Sequence, residues 1–351
     1  MQPTSFPGQF VKHLLIFFSA ASLLLPLAPA PAIAQTRAGF PDIATADRPM
    51  VKYSPAYQAL QDGRMEDASQ LLHAMLSADS TNSYAHQLLC RVFYAQEAAD
   101  EAIHECELAV ASPSSNAQAS ASHLWLGRAY GMKARNAGPF AGFSLARKVQ
   151  SNFARAVELD SSNVAAINDL GEYDVNAPFI VGGGTDKAEA LAAQVMSRFP
   201  GSAHLLRARI AVEQNDVSRA EAEFKQVIAI QRTPDSWFDL AYFYQTHNRT
   251  NDAVAAVKSG LALDRTHGPA LVDAASVLIA ANREPALAEH CLREYLSSSA
   301  RSDAAPVFKV HLQLSKLLAA RGDTQGANNE VEAATALAPQ FLRAARRTQG
   351  I

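Results

Sequence analysis

The sequence lacks most of what marks a chemical site. It contains no G-x-S-x-G, H-E-x-x-H or C-x-x-C segment, so the nucleophile elbow, the two-histidine zinc helix and the dithiol redox pair are absent. Cysteine falls to three residues, Cys90, Cys106 and Cys291. An odd number leaves at least one thiol free or paired with another chain. No dense Lys/Arg tract occurs and the formal net charge is -3, which argues against a nucleic-acid partner. Alternating Val/Ile/Thr runs bounded by turns are few, so strands have little to start from. Aromatics are sparse and alanine is abundant, a composition suited to helices packed closely on one another. The apolar run at 14–25 is shorter than the roughly 20 residues a membrane span needs.

What is present begins with an export pattern. Lys12 and His13 precede that apolar run, Pro26 ends it, and Ala32-Ile33-Ala34 offers the small-x-small pattern of signal peptidase sites. Residues 1–34 are expected to form a signal peptide, cut between Ala34 and Gln35. No Cys follows the cut, so a lipid anchor is not expected. The style of the segment points to a bacterial periplasmic or secreted protein, with no stable membrane span after cleavage. Residues 35–50 show no period and read as a flexible leader.

The remainder is organised on a repeat. In residues 234–267, Trp237, Leu240, Ala241 and Tyr244 fall at i, i+3, i+4, i+7 and make one apolar stripe of a helix. Asn248 supplies a turn, and Ala253 is the small residue on the next helix that lets the two approach. This resembles the tetratricopeptide (TPR) helix pair, whose pattern is W-x2-L-G-x2-Y followed by a small residue. Leu126-Gly127-Arg128-Ala129-Tyr130 and Leu170-Gly171 repeat its core, and Gln61-Asp62-Gly63, Asn215-Asp216 and Gly322 mark further turns. Ala68 and Ala102 lie one 34-residue period apart. Ala188, Ala220, Ala253, Ala286 and Ala327 are expected to continue the series, with the stretch 297–306 absorbing the longest gap as an inter-repeat loop. The resemblance implies an all-α, right-handed TPR-like α-solenoid of about eight helix hairpins over 51–341. A capping helix or tail follows at 342–351 and covers the last apolar face. Two stretches, near 133–144 and 175–184, are extra to the repeat and must emerge as loops or lengthened helices. Thr185 or Asp186 is expected to cap the helix after the second one. With 177–188 following Leu145-Ala146-Arg147-Lys148, the chain looks like a subgroup of exported bacterial TPR proteins. Exported TPR proteins that work beside TRAP-type transporters are a looser resemblance.

Few residues invite a chemical reading. Gly182, Gly183 and Gly184 before a helix start could offer amides to an anion, but the spacing G-x4-G-K-[ST] is missing and Asp186 would repel a phosphate. His104 with Cys106, and His290 with Cys291, have no second pair at a metal-site spacing. His104 and Cys106 also point about 200° apart on a helix, so surface histidines beside core cysteines account for both pairs. Cys90 and Cys106 both face inward in one hairpin. They are either a possible disulfide or two buried thiols. No catalytic residue, metal or cofactor is expected. The TPR resemblance implies that first helices line a concave groove, and its groove positions here hold Tyr84, Gln87, Arg91, Tyr94, Arg128, Glu172, Arg209, Tyr242 and Lys316. Arg and Tyr are residue types that carry binding energy at interfaces. Those residues point to a non-enzymatic scaffold that binds an acidic protein or peptide in the groove. The alternatives are a solute- or lipid-binding accessory of an envelope transport system, and an enzyme sited at the Gly182 insertion.

Overall fold

In each hairpin, residues at helical spacing face a partner helix, and in most of them one residue between the two helices takes a left-handed backbone. A computed structural model describes residues 54–349, with side chains through 345. The expected signal peptide and leader lie outside the described residues. The helices pair in order. They are α1 (Pro55–Gln61) with α2 (Met65–Ala78), α3 (Ser83–Ala95) with α4 (Ala99–Ala111), and α5 (Asn116–Ala134) with α6 (Pro139–Leu159). Next come α7 (Val164–Asn176) with α8 (Thr185–Val195), α9 (Pro200–Glu213) with α10 (Val217–Gln231), and α11 (Pro234–Thr246) with α12 (Thr250–Leu263). The series ends with α13 (Ala270–Ala280) and α14 (Pro285–Ser297), then α15 (Val307–Ala320) and α16 (Thr324–Leu337), then a closing helix α17 (Pro339–Gln349). Among the described residues there is no strand. The chain is an all-α, right-handed TPR-like α-solenoid.

The turns explain their own residues. Gly63, Glu97, Asn215, Asn248, Asn282 and Gly322 all have positive φ, and each sits between the two helices of one hairpin. Glycine and asparagine enter that region most readily, which is why they recur there. The small-residue series holds at Ala68, Ala102, Ala188, Ala220, Ala253 and Ala327, all buried. It fails at Ala286, which is exposed. The buried residue of that hairpin is Ala288, because α14 starts at Pro285, too late for Ala286 to reach the inward face of its first turn. Cys90 and Cys106 are bridged, with Cα atoms 5.2 Å apart, so α3 and α4 are covalently joined. A closed loop of that length stabilises by about 3 kcal/mol in the chain-entropy account.

Two further recurrences cross-link the hairpins. His86 Nδ1 lies 2.7 Å from Glu105, His204 Nδ1 2.7 Å from Glu223 and His311 Nδ1 2.6 Å from Glu330, each pair 19 residues apart. These bonds tie the first helix of a hairpin to its second. Between hairpins, the hydroxyls of Tyr130 and Tyr244 donate to Glu107 (2.5 Å) and Glu221 (2.9 Å), both 23 residues back.

Both extra stretches join this frame without breaking it. The first becomes helix: α5 and α6 run 19 and 21 residues and meet at a short turn. The second becomes a 3-10 turn at Phe179–Val181, followed by Gly182 at φ +98° and Gly184 at φ +142°. A Cβ on Gly183 would stand 2.1 Å from the Ala177 carbonyl oxygen, so no other residue fits. Gly184, not Thr185 or Asp186, occupies the N-cap of α8, with no side-chain cap. The reason is that Gly184 N–H is spent on the Asp174 carbonyl (2.7 Å), which fixes where the helix begins. Beneath the turn, the Tyr173 hydroxyl meets the carbonyls of Ala146 (2.9 Å) and Val181 (2.8 Å).

The ends meet. Phe308 of α15 and Ala338, Phe341 and Leu342 at and within α17 share one apolar cluster with Ala56, Tyr57, Leu60 and Leu72 of the first hairpin. Phe308 and Phe341 ring centroids are 5.0 Å apart. Gly63 approaches so closely that a Cβ there would lie 2.8 Å from Val307 Cβ. The closing helix therefore covers the first described hairpin as well as the last one.

Two outcomes are expected. A Cβ on Gly127 would fall 2.5 Å from the buried Phe153 ring, so Gly127→Val should lose at least about 1–3 kcal/mol by overpacking. Gly138→Ala, with open space around it and φ of -66°, should stay within about 1 kcal/mol of the parent. Urea titration of both variants is the check. For the second outcome, burial pushes the Asp174 carboxyl up to about 7, with Lys187 opposing and Asp186 adding. The folded state thus holds that proton more tightly than the unfolded chain. The stabilisation is complete below the unfolded pKa of 3.8 and is lost as pH rises through about 7. Thermal melts should show Asp174→Asn gaining on the parent steadily from about pH 4 to about pH 8.

Candidate functional site

The groove positions sit on first helices, and most of their side chains meet neighbours there rather than standing apart. Trp125 on α5 is the centre of the first group. The Arg128 guanidinium carbon lies 4.7 Å from its ring centroid, that of Arg91 5.3 Å, and Tyr94 meets it edge-on at 5.3 Å. Guanidinium–aromatic contacts of this kind stabilise by about 0.5–2 kcal/mol each. Arg128 Nε donates to Asp169 at 2.6 Å. Burial disfavours the Arg128 charge, but the Asp169 carboxylate outweighs that effect and leaves its pKa raised.

Two of the nine groove residues are not available to a partner as expected. Arg91 is buried, and its Nε and Nη2 each donate to Asp303 at 2.8 Å. Gln87 is also buried and donates to Ser122 Oγ at 3.3 Å. For Arg91 the cause is end closure, whereas Gln87 is held by Ser122 on α5 of the next hairpin. The stretch 297–306, read in sequence as a lengthened loop, folds across the first helices of hairpins one and two. Its shape is set by the Tyr295 hydroxyl, which bonds the Ala305 carbonyl at 2.6 Å. Asp303 then exchanges bonds with Gln61 at 3.2 Å in both directions, and Arg301 pairs with Asp62 at 3.0 Å. Lys309 pairs with Glu97 at 2.7 Å.

The other groove residues form a second group and a rim. Arg209 lies 3.2 Å from Glu172, and the Tyr242 hydroxyl is raised above its ordinary pKa by burial and by Glu172. Tyr84, Tyr94, Arg128, Glu172, Arg209 and Tyr242 are all partly exposed, and Lys316 is exposed. Trp125, Asp169 and Asp303 complete the arrangement and were not singled out in the sequence. Asp303 could not be, because it lies 212 residues from Arg91 in a stretch with no repeat register.

The chemical alternatives find little here. The amides of Gly182, Gly183 and Gly184 donate to the carbonyls of Phe179, Pro178 and Asp174, and Lys187 Nζ donates to the Gly182 carbonyl at 2.7 Å. That turn has no spare glycine amide for an anion. His104 and His290 are exposed beside buried Cys106 and Cys291, and burial pushes the Cys291 thiol up to about 11. Among the described residues no group of three or more His, Cys, Asp and Glu side chains is placed to hold a metal ion.

Because Arg91 and Asp303 are both about 5% exposed, removing one leaves the other's charge in the interior. Asp303→Ala should cost about 3–5 kcal/mol, and the double variant Arg91→Met/Asp303→Leu should recover much of it. Chemical denaturation of the three proteins reads this directly, and small-angle scattering should show Asp303→Ala expanding first.

No family model and no curated relative matches the chain. Solved structures similar to it include TTC0263, a thermophilic TPR protein of Thermus thermophilus. That protein is 18% identical, with 62% of this chain and 92% of that one covered and a TM-score of 0.40. A tetratricopeptide repeat protein from Parabacteroides merdae is 14% identical over 77% and 97%, with a TM-score of 0.41. Yeast Tom70 is 15% identical over 86% and 66%, with a TM-score of 0.47. At these identities and overlaps no residue's role is carried from those proteins to this one.

Proposed function

We propose that the chain is a non-enzymatic protein-interaction scaffold of the bacterial cell envelope, binding an acidic protein segment along its first helices. One observation carries this reading: Tyr94, Arg128, Arg209 and Tyr242 are held partly exposed, and Lys316 exposed, on packed first helices. Arg and Tyr so placed give contact area and forked hydrogen bonds at little entropic cost. An apolar solute would require an apolar chamber, and these side chains are charged or aromatic. The export pattern at 1–34 supports an envelope location, and so does the Cys90–Cys106 bridge, since disulfides persist in oxidising compartments.

Tagged full-length protein, purified from the envelope fraction, should begin at Gln35 when its N-terminus is sequenced. The variant Arg209→Gln/Lys316→Glu should recover co-purifying partner in yields lowered about tenfold, the loss expected when binding weakens by about 1.4 kcal/mol. Recovery of the same partner at the same yield, with unchanged unfolding, would remove the groove from the proposal. An intact N-terminus at Met1 would remove the envelope.

A further inference from the structure

The two stretches extra to the repeat come together at one place. An open cavity of about 930 Å³ lies between hairpins three and four. One wall is the first half of α6, with Phe143, Arg147 and Lys148, and the other is the 3-10 turn, with Phe179 and Ile180. Phe143 and the 3-10 turn come from the two stretches extra to the repeat, while Arg147 and Lys148 follow the first of them along α6.

Exposure at the turn is unusual for the molecule. Phe179 and Ile180 are 82% and 51% exposed, more than any other large apolar side chain of the described residues except Phe140 at the start of α6. Exposed apolar surface gathered in one place and rimmed by polar groups marks an interaction site. The exposure of Phe179 and Ile180 is built in. The Tyr173 hydroxyl holds the Val181 carbonyl from below, Lys187 Nζ holds the Gly182 carbonyl, and Gly183 permits the chain to pass Ala177. A turn tied at three points cannot tuck its two apolar side chains inward.

Charge then selects the occupant. Arg147 and Lys148 line the cavity, and no Asp or Glu does. Lys148 Nζ sits 4.6 Å from the Tyr130 ring centroid; Arg147 is exposed and makes no ion pair with another described residue. Glu107, which reaches the same tyrosine, is engaged by the Tyr130 hydroxyl. We infer that this cavity is a second docking surface, outside the groove, for a partner segment that alternates carboxylates with bulky apolar side chains. The apolar residues enter between Phe143 and the Phe179 turn while the carboxylates meet Arg147 and Lys148. Its position is independent of the groove, so the two interfaces succeed or fail separately.

The probe is a fluorescein-labelled peptide alternating glutamate with leucine, titrated with residues 35–351 and followed by anisotropy. It should bind, and its lysine–leucine counterpart should not. Arg147→Glu/Lys148→Glu and Phe179→Ser/Ile180→Ser should each weaken binding about tenfold or more while leaving the melting temperature unchanged, because all four side chains are exposed. The groove variant Arg209→Gln/Lys316→Glu should bind the peptide as the parent does. Absence of binding at about 1 mM protein, or equal binding by both cavity variants, would overturn the inference. Binding to phosphatidylglycerol vesicles that the cavity variants lose, without peptide binding, would overturn it too and assign the surface to a membrane.

Discussion

A stack of hairpins has two ends, each with an apolar face that no neighbour covers. Among the described residues the two ends of the stack cover each other. Phe308 and Phe341 fill the space beside Leu60 and Leu72, and the buried Arg91–Asp303 pair sets the alignment, because a guanidinium fork accepts only one approach of a carboxylate. Apolar burial supplies the stabilisation in such an arrangement. A buried ion pair contributes less to net stability but penalises misalignment heavily. The placement of α1, α3, α15, α17 and the 297–306 stretch depends on this closure, and so does the loss of Arg91 from the open groove.

Away from the closure, the solenoid holds through repetition of small devices. A histidine on the first helix meets an acid 19 residues later in three hairpins, and the TPR-like tyrosine reaches an acid of the preceding hairpin in two. His123 shows the same device after an insertion: its partner is Asn152, 29 residues on, since lengthened α5 and α6 separate the two. Where the device recurs, first and second helices cannot slide along each other. Phe140, Phe179 and Ile180 stand outside it, on a rigid turn and a helix start that the repeat does not use.

The polar character of the inner side follows from both effects. Trp125 receives two guanidinium groups, and Asp169, Glu172 and Asp303 balance Arg128, Arg209 and Arg91. A face paired this thoroughly offers Tyr and Arg planes and the exposed Lys316 rather than loose charge. In the proposed function, specificity for an incoming segment would come from exchanging one set of carboxylate partners for another, which a partner of acidic character does at least cost.

The amino-acid sequence alone determined what is local. Periodic Leu, Ala and Tyr positions set the helices, and Gly and Asn set the left-handed turns, because a helix face and a backbone angle each depend on residues within a few positions. It misplaced Ala286 and the α8 cap by about two residues at most, both where Pro285 or a used-up Gly184 amide shifted a helix start. It left the Cys90–Cys106 pairing open, since inward direction does not establish distance. Only the tertiary structure decided that the solenoid closes, that Asp303 reaches Arg91, and that two separate extra stretches share one cavity. Those contacts join residues far apart along the chain, and their geometry is the accumulated rotation of every hairpin between them, a sum that no single repeat records.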